Sequence, residues 1–344
     1  MNNEAHTAPH TTFLDTIGAE TLPGDECRFA AEPETLAELD AVDTVIPLSH
    51  YGALSIKGAD AEKFLQGQIT CSSADVTTTL STPGAHCTPK GRAITSFQLA
   101  RIEADHFLLR MRRDLLDISA QAFAKYIVFS KAKLQRADDL IGIGLHGPNT
   151  AALVRELAGD LPGAINATIA HGTGFILQRD TEGTWFECWL AADAANDLWQ
   201  RASGTHKPVG TRYWHWLTIR VGLAEVCAAT TDTFIPQMLN YHLTGAINFK
   251  KGCYTGQEIV ARAYYRGQVK RHLLRAGVTT EPPAPGAAIS DANGRVVGTV
   301  VNSVLLAPNL SELLGVTGED DNNIEKLLIN GVNLRPEPLP YAIP

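Results

Sequence analysis

The chain has 344 residues, 44% of them hydrophobic, and a formal net charge of −8. This length and composition are ordinary for a globular protein of two or three domains with a large core. The longest apolar runs fall far short of the roughly 20 residues that a membrane-spanning helix requires. The N-terminus also lacks the basic and then apolar segments of a secretory signal. The sequence therefore predicts a cytoplasmic protein that does not span a membrane.

The first 43 residues form an acidic segment with little hydrophobic periodicity. They contain ten acidic residues and one basic residue, Arg28, so the rest of the chain is close to neutral. This composition predicts an N-terminal extension that packs loosely on the body with few contacts.

Residues 44–126 alternate between patterns typical of strands and of helices. The predicted strands are 53–56, 95–99 and 107–111, and the predicted helices are 59–65 and 114–126. The second helix is amphipathic, with Leu115, Ile118, Ala122 and Tyr126 near one face.

A second group of elements follows from residue 140 to residue 221. The predicted strands are 140–147, 175–179 and 185–190, and the predicted helices are 150–158, 192–201 and 212–221. Asn149 is the candidate N-cap of the first of these helices. Residues 142–147 formally match G-x-G-x-x-G, but residues 135–139 are too charged for the buried strand that a dinucleotide site needs, so glycines within a strand are favoured. The order of elements predicts an α+β fold with ferredoxin-like subdomains.

The helix predicted at 212–221 carries three large rings and an imidazole in succession, Tyr213-Trp214-His215-Trp216. Consecutive positions point in different directions around a helix, so at least one ring must leave the core unless a pocket receives it. A flat ligand could stack there, and packing at a domain interface is the alternative.

The most informative segment is the run Lys251-Gly252-Cys253-Tyr254-Thr255-Gly256-Gln257-Glu258. Glycines on both sides of a thiol indicate a loop that turns sharply or lets another molecule approach. Residues 250–275 contain seven basic residues and one acidic residue, which favours a thiolate at Cys253. We therefore expect Cys253 to be a reactive group facing an open cavity lined by basic side chains. A buried cysteine beside solvated lysines is the alternative.

The same basic segment could attract an anion such as a phosphate, a polyglutamate or RNA, although a solvated basic face is the simpler explanation. Its Tyr264-Tyr265-Arg266 run joins rings to charge, as a nucleic-acid platform does. Beyond Lys270, a Pro-rich stretch at 282–286 and a tight turn at Asn293-Gly294 predict a small β domain. Within it, residues 311–333 read as more helical and acidic than a plain barrel.

Six cysteines are scattered along the chain, at positions 27, 71, 87, 188, 227 and 253. They include no C-x-x-C pair, so reduced thiols are predicted in place of a disulfide framework or a zinc site. His86 and Cys87 are adjacent, but packing is the favoured interpretation because their neighbours do not complete a metal sphere. No metal site is predicted.

Several motifs together resemble the signature of the YgfZ family, folate-binding proteins related to the aminomethyltransferase of the glycine cleavage system. They span most of the chain: Gly58-Ala59-Asp60, Phe64-Leu65-Gln66-Gly67-Gln68, Phe129-Ser130-Lys131, Phe234-Ile235-Pro236-Gln237, Asn248 to Arg262, and Asn293 to Gly298. The resemblance implies an aminomethyltransferase-like folate-binding body at 44–268 and a small C-terminal β-barrel at 269–344. Only the acidic extension, 1–43, lies outside it.

The resemblance also implies tetrahydrofolate as the cofactor, and a role in the assembly or repair of iron-sulfur enzymes, one of which modifies tRNA. Such a protein would have client enzymes as partners and would contact RNA at most indirectly. The residues that correspond to the folate site are Tyr51 and Trp214, and those of the signature loop are Lys251, Cys253, Gln257, Glu258 and Arg262. Cys253 and Lys251 are the candidate reactive pair.

One departure from the transferase relatives affects the folate site. Where they have Arg-x-Glu, this chain has Arg220-Val221-Gly222, so the position of the carboxylate falls on a glycine. A carboxylate can accept paired hydrogen bonds from a pterin, and glycine cannot. Glu225 is the candidate substitute, and Arg220 could bind the glutamate tail of the folate through a bidentate pair. The two alternative functions are a folate-dependent aminomethyl or methyl transferase acting on a small amine, and an RNA-binding accessory protein.

Overall fold

The computed structural model describes residues 9–265, 269–318 and 324–343. The helices in these ranges are α1 Pro9–Thr16, α2 Ala61–Gln66, α3 Leu116–Ile127, α4 Thr150–Ala158, α5 Ala192–Ser203, α6 Thr211–Arg220 and α7 Gln257–Tyr265. The first strands are β1 Glu20–Leu22, β2 Glu26–Arg28, β3 Thr44–Pro47, β4 Tyr51–Lys57, β5 Thr82–Cys87, β6 Ala93–Glu103, β7 His106–Arg112, β8 Lys133–Arg136, β9 Leu140–His146, β10 Thr168–His171, β11 Gly174–Gln178, β12 Trp185–Ala191 and β13 Lys207–Pro208. The C-terminal strands are β14 Arg271–Val278, β15 Ala288–Ser290, β16 Val296–Ala307, β17 Leu310–Gly318, β18 Leu328–Ile329, β19 Val332–Asn333 and β20 Arg335–Glu337.

The strands form three main sheets, and β1 and β2 form a separate hairpin. The body contains a five-stranded antiparallel sheet in the order β5-β6-β7-β4-β8 and a six-stranded sheet in the order β10-β11-β12-β9-β3-β13. The C-terminal part is a barrel-like antiparallel sheet of seven strands in the order β19-β18-β15-β16-β17-β14-β20. The predicted α+β class and the C-terminal β-barrel are therefore confirmed.

Helix α6 lies at the interface between the body and the barrel, and this position explains its three rings. Tyr213, Trp214 and Trp216 are 1%, 0% and 6% exposed, because the six-stranded sheet and the barrel cover different sides of the helix. The Trp216 indole N–H donates to Glu312 in β17 at 3.1 Å. The interface-packing alternative is thus the one observed, and none of these three rings points to solvent.

Two glycines of the G-x-G-x-x-G match allow this packing. A Cβ at Gly144 would lie 2.4 Å from the Trp214 ring, and one at Gly142 would lie 3.0 Å from Trp189. The glycines of β9 therefore make room for indoles, as the strand interpretation requires. Helix α4 begins at Thr150 as predicted, but the Asn149 side chain donates to Asp43 at 2.8 Å and makes no cap hydrogen bond.

The N-terminal segment packs more closely than its composition predicts, and the expectation of few contacts is wrong for residues 9–43. Phe13, Leu14, Leu36 and Leu39 are at most 2% exposed, because these apolar residues are interspersed among the acids and face the body. Residues 1–8 lie outside the described residues.

Two further predictions from local pattern are wrong. The buried face of α3 consists of Leu116, Ser119, Phe123 and Ile127, whereas Ile118 is exposed. Residues 310–318 form β17, which pairs with both β14 and β16. The segment 311–333 therefore begins with a strand, where the sequence pattern indicated a more helical structure. Residues 319–323 lie outside the described residues.

Candidate functional site

The Cys253 loop, residues 248–256, leads into α7 and is bound to the segment that follows α2. The Lys251 ammonium donates to the backbone carbonyls of Ile69 and Cys71, each at 2.7 Å. A charged donor strengthens such hydrogen bonds. Lys251 therefore holds the loop in place through its side chain.

The two glycines beside the thiol have different roles. Gly256 has a φ of +84°, and a Cβ there would lie 2.5 Å from the carbonyl oxygen of Thr88. Both its conformation and the close approach of the Thr88 turn require glycine at this position. Gly252, in contrast, has no neighbouring heavy atom within 4 Å of where its Cβ would be, so space alone does not require glycine there.

Cys253 is exposed, whereas the other five cysteines, which also lie in the described residues, are buried, and all six are unpaired. The thiol borders an open cavity of about 560 Å³. The charged side chains that line this cavity are Glu62, Lys63, Arg101 and Asp105. The expected open cavity is present, but its lining carries both signs of charge and is not basic.

Burial lowers the pKa of Lys251 to about 8, although Cys71 and Asp75 act in the opposite direction. The ammonium form therefore still predominates at neutral pH. Since the ammonium donates hydrogen bonds to two carbonyls, the geometry supports a structural role for Lys251 more directly than a role as a base.

The remaining signature residues lie on α7. Gln257 is half-buried, and Glu258 and Arg262 are exposed. None of these three side chains lines the cavity beside Cys253. Arg266, part of the predicted aromatic and basic platform, lies outside the described residues.

A second polar region lies inside the body, where Tyr51 meets Glu225. The Tyr51 hydroxyl donates to Glu225 Oε2 at 2.5 Å, and Arg110 donates to Glu225 Oε1 at 3.0 Å. The Arg110 guanidinium also lies 4.3 Å from the centroid of the Tyr51 ring. Tyr51, Arg110 and Glu225 are 0%, 3% and 8% exposed. The structure thus brings together two predicted folate residues, joined by an arginine that the sequence analysis did not identify.

The same arginine contacts a second buried carboxylate. Arg110 donates to Glu187 at 3.1 Å, the Trp189 indole N–H donates to Glu187 at 2.7 Å, and Arg179 lies 3.9 Å from it. We call Tyr51, Arg110, Arg179, Glu187 and Glu225 the Arg110 cluster. It balances two guanidinium groups with two carboxylates, as buried charges require.

The electrostatics of the Arg110 cluster keep its phenol neutral and its central arginine charged. Burial alone lowers the pKa of Arg110, but Glu187, Tyr51 and Glu225 outweigh burial and raise that pKa above its usual value. Burial, together with Glu225, raises the pKa of Tyr51 well above its usual value. The hydroxyl therefore remains a donor to Glu225 across the physiological pH range.

The barrel supports Glu225 from the other side. Asn302 of β16 accepts from the Glu225 N–H at 2.8 Å and donates to its carbonyl at 3.0 Å. Glu225 and Arg110 line a cavity of about 30 Å³ together with Gln98 and Tyr241. Ligand sites usually measure about 300–1,000 Å³. Polar groups therefore converge on this cavity, but the cavity is much smaller than a usual ligand site.

The other predicted folate residues lie elsewhere. The Trp214 ring packs edge-to-face on Trp185, with centroids 5.3 Å apart, and its indole N–H is buried without a hydrogen-bond partner. Among the described residues, no ring contact joins Trp214 to Tyr51. Arg220 pairs with Asp40 and lies over the Trp216 ring at 4.6 Å.

Three residues of the Arg110 cluster are missed by the sequence analysis: Arg110, Arg179 and Glu187. Arg179 directly follows β11, whereas Arg110 and Glu187 are charged residues at interior positions of two buried strands, His106–Arg112 and Trp185–Ala191. That anomaly is the one local signal they offer, because a charge on a buried strand requires a partner.

The fold identifies the class of protein to which the chain is similar. The structure is similar to the glycine cleavage system aminomethyltransferase T from Bartonella henselae, with a TM-score of 0.79, 16% sequence identity and 96% of each chain covered. At this identity the likeness establishes an aminomethyltransferase-type fold alone.

The sequence identifies the family more narrowly. Over 91% of its length the chain is 32% identical to the tRNA-modifying protein YgfZ of Klebsiella pneumoniae strain 342, of which 96% is covered. It is also 32% identical, over 87% of its length, to the protein of the same name from Escherichia coli O7:K1, of which 94% is covered. No protein-family model matches the chain. The chain belongs to the YgfZ family.

Proposed function

We propose that this protein binds a reduced folate and supports the assembly or repair of iron-sulfur enzymes, including one that modifies tRNA. The observation that carries the proposal is the exposed Cys253 thiol, on a loop that Lys251 holds beside an open cavity in a chain of the YgfZ family. Iron-sulfur clusters normally take four protein ligands, so one thiol could contact a cluster only together with a partner. Six unpaired cysteines also fit a cytoplasmic location.

The polar groups of the Arg110 cluster suit a pterin. Glu225 can accept paired N–H groups, and Gln98, whose side-chain nitrogen donates to Ser81 and Asn166, leaves its carbonyl oxygen as a further acceptor. The cavity of about 30 Å³ is too small for the ring, so binding requires the segments around 223–225 and 241–246 to move outward. Bound folate would supply one-carbon chemistry, and these side chains would orient it.

A transferase acting on a small amine is less well supported, because a side chain at its carboxylate position would be strained here. Gly222 has a φ of +65°, and a Cβ there would lie 2.7 Å from Leu339 and 2.9 Å from the Tyr341 hydroxyl. Tyr341 also donates to the Gly222 carbonyl at 2.8 Å. The packing of Leu339 and Tyr341 against Gly222 therefore favours glycine where the transferase relatives have a glutamate.

The thiol is tested in cells that lack this protein. We expect the wild-type gene to restore the activity of iron-sulfur enzymes after oxidative stress and Cys253→Ser to fail at normal protein levels. Cys227→Ser is the matched control, since Cys227 is buried and its sulfur lies 3.5 Å from the Thr230 hydroxyl. Full complementation by Cys253→Ser would remove the thiol from the function.

The folate site is tested by titrating tetrahydrofolate against the purified protein. We expect Glu225→Gln to weaken binding by about tenfold or more, because hydrogen bonds to a charged group contribute about 1.5–3 kcal/mol. The control is Glu103→Gln, whose carboxylate pairs with Lys57 on the surface. Unchanged affinity in Glu225→Gln, or no binding by the wild type, would contradict the proposed site.

RNA binding is a second candidate function, favoured by one surface. Phe249 and Tyr264 stack at 3.8 Å, and Tyr264 and Tyr265 are 49% and 65% exposed beside a cavity of about 430 Å³ that Lys250 also lines. Exposed rings beside a cation suit unpaired bases. We expect Tyr264→Ala to weaken binding of single-stranded RNA, with affinity falling steeply as salt increases. Salt-independent or unchanged binding would exclude this surface.

A further inference from the structure

Three side chains from distant parts of the chain meet at a place that the proposed function does not use. Glu26 lies on β2, His50 precedes β4, and His215 lies on α6. Each offers one ligand atom, and these atoms all lie within 4.8 Å of one another. Glu26 and His215 also line a cavity of about 810 Å³ between the N-terminal segment, α6 and the barrel. We call these three residues the Glu26 site.

His50 is the residue that calls for an explanation. It is 1% exposed, and neither of its ring nitrogens has a hydrogen-bond partner. Its ring lies beside two other rings, with centroids 4.5 Å from His215 and 4.0 Å from Tyr51. A buried imidazole without partners is costly and uncommon. A ligand that accepts a nitrogen lone pair would remove this cost.

We propose that Glu26, His50 and His215 bind a divalent transition-metal ion such as Zn²⁺. Two imidazoles and one carboxylate form the protein ligand set of catalytic zinc sites and of some iron(II) sites, which keep a further position for water or a substrate. That position would face the cavity of about 810 Å³. Arg112, whose Nη2 lies 3.4 Å from Glu26 Oε1, adds positive charge and favours an anionic fourth ligand.

The site would also join the N-terminal hairpin to the body. In the structure His215 Nε2 lies 2.8 Å from Glu26 Oε2, so an ion between them needs only a small separation of the two groups. Because β2 supplies the carboxylate, metal binding should order residues 20–33 relative to α6. Protection of this segment from proteolysis is therefore a readout that does not depend on any activity.

The test uses the full chain, without an affinity tag and stripped of metal by a chelator. We expect one Zn²⁺ per chain by competition with a chromophoric chelator, and visible Co²⁺ absorption typical of low coordination number. Glu26→Gln and His215→Gln should each weaken the Zn²⁺ affinity by at least about tenfold, since even the loss of outer-shell partners costs 10–100-fold. Glu26→Asp keeps a carboxylate and should retain binding.

His171→Gln and Cys253→Ser are the matched controls, because each removes one potential ligand outside the Glu26 site. Both should bind Zn²⁺ like the wild type, and circular dichroism should verify that every variant is folded. The proposal is overturned if the wild type binds no Zn²⁺, if Glu26→Gln binds as tightly as the wild type, or if Cys253→Ser abolishes binding.

Discussion

The Arg110 cluster and the Cys253 loop are both polar, but they are held in opposite ways. In the Arg110 cluster, each charged side chain faces another charged side chain in the interior, and every member is at most 9% exposed. In the Cys253 loop, one charged side chain is used to hold the backbone, and the thiol remains free at the surface. The difference indicates that the Arg110 cluster contributes mainly to the stability of the fold. The Cys253 thiol, in contrast, can react or be replaced without changing the fold.

The strongest test of this comparison is to remove the central charge of the Arg110 cluster. Arg110→Met should lower the free energy of unfolding by about 3–5 kcal/mol, because it leaves Glu187 and Glu225 buried without their main cationic partner. Urea unfolding of the two proteins measures the change. Arg136→Met is the control, since Arg136 pairs with Asp117 and Asp138 at the surface and should change stability by less than about 1 kcal/mol. Equal losses in both variants would contradict the structural role of the cluster.

A smaller effect is expected from a single hydroxyl. Tyr51→Phe keeps the ring under Arg110 but removes the donor to Glu225, so the free energy of unfolding should fall by about 1.5–3 kcal/mol. Tyr213→Phe is the matched control, because the Tyr213 hydroxyl donates at 3.1 Å to the neutral carbonyl of Leu39 and should cost about 0.5–1.5 kcal/mol. If Tyr213→Phe lowered the free energy of unfolding as much as Tyr51→Phe, the hydrogen bond to the Glu225 carboxylate would contribute no more than one to a neutral carbonyl.

The two regions also differ in how far the sequence predicts them. The Cys253 loop lies within one continuous motif, and the exposed thiol and the open cavity follow the prediction, whereas the basic lining does not. The Arg110 cluster unites positions 51, 110, 179, 187 and 225 from three different strands and two loops. Only Tyr51 and Glu225 could be predicted, and they came from a resemblance to a family. Long-range pairing of charges leaves no spacing pattern in the chain.

The errors in the fold have similar causes. The predicted and observed buried faces of α3 have the same helical spacing and differ by one residue, which rotates the face by about 100°. The contact that decides between them is non-local, since Phe123 stacks on His86 of β5 at 4.3 Å. That contact also confirms packing as the interpretation of His86. In β17, Glu312 pairs with Arg275 and Trp216, so an acidic residue that suggested a helix belongs to a buried strand.

Lys251 gives a pH-dependent test of the loop. Burial lowers its pKa to about 8 in the folded protein, from the ordinary 10.5 of a lysine in water. The unfolded chain therefore binds more protons between these values, and the stability contributed by this group rises with pH there. The wild type should therefore gain stability relative to Lys251→Met between about pH 8 and pH 10. Lys57→Met is the control, because pairing with Glu103 raises the pKa of Lys57 and gives no gain in that window. A difference between wild type and Lys251→Met that is independent of pH would contradict the burial of the ammonium.

The smallest effect on stability is expected at the Cys253 thiol. This variant tests most directly the contrast between the buried Arg110 cluster and the exposed Cys253 loop. Cys253→Ser should change the free energy of unfolding by less than about 0.5 kcal/mol, as surface substitutions usually do. Under native conditions an alkylating reagent should modify one thiol rapidly in the wild type and none in Cys253→Ser. Burial raises the pKa of Cys27, Cys71 and Cys87 to about 12, which disfavours their thiolates. Rapid modification of a second cysteine would mean that the interior opens readily, and the contrast between a closed cluster and an accessible loop would then fail.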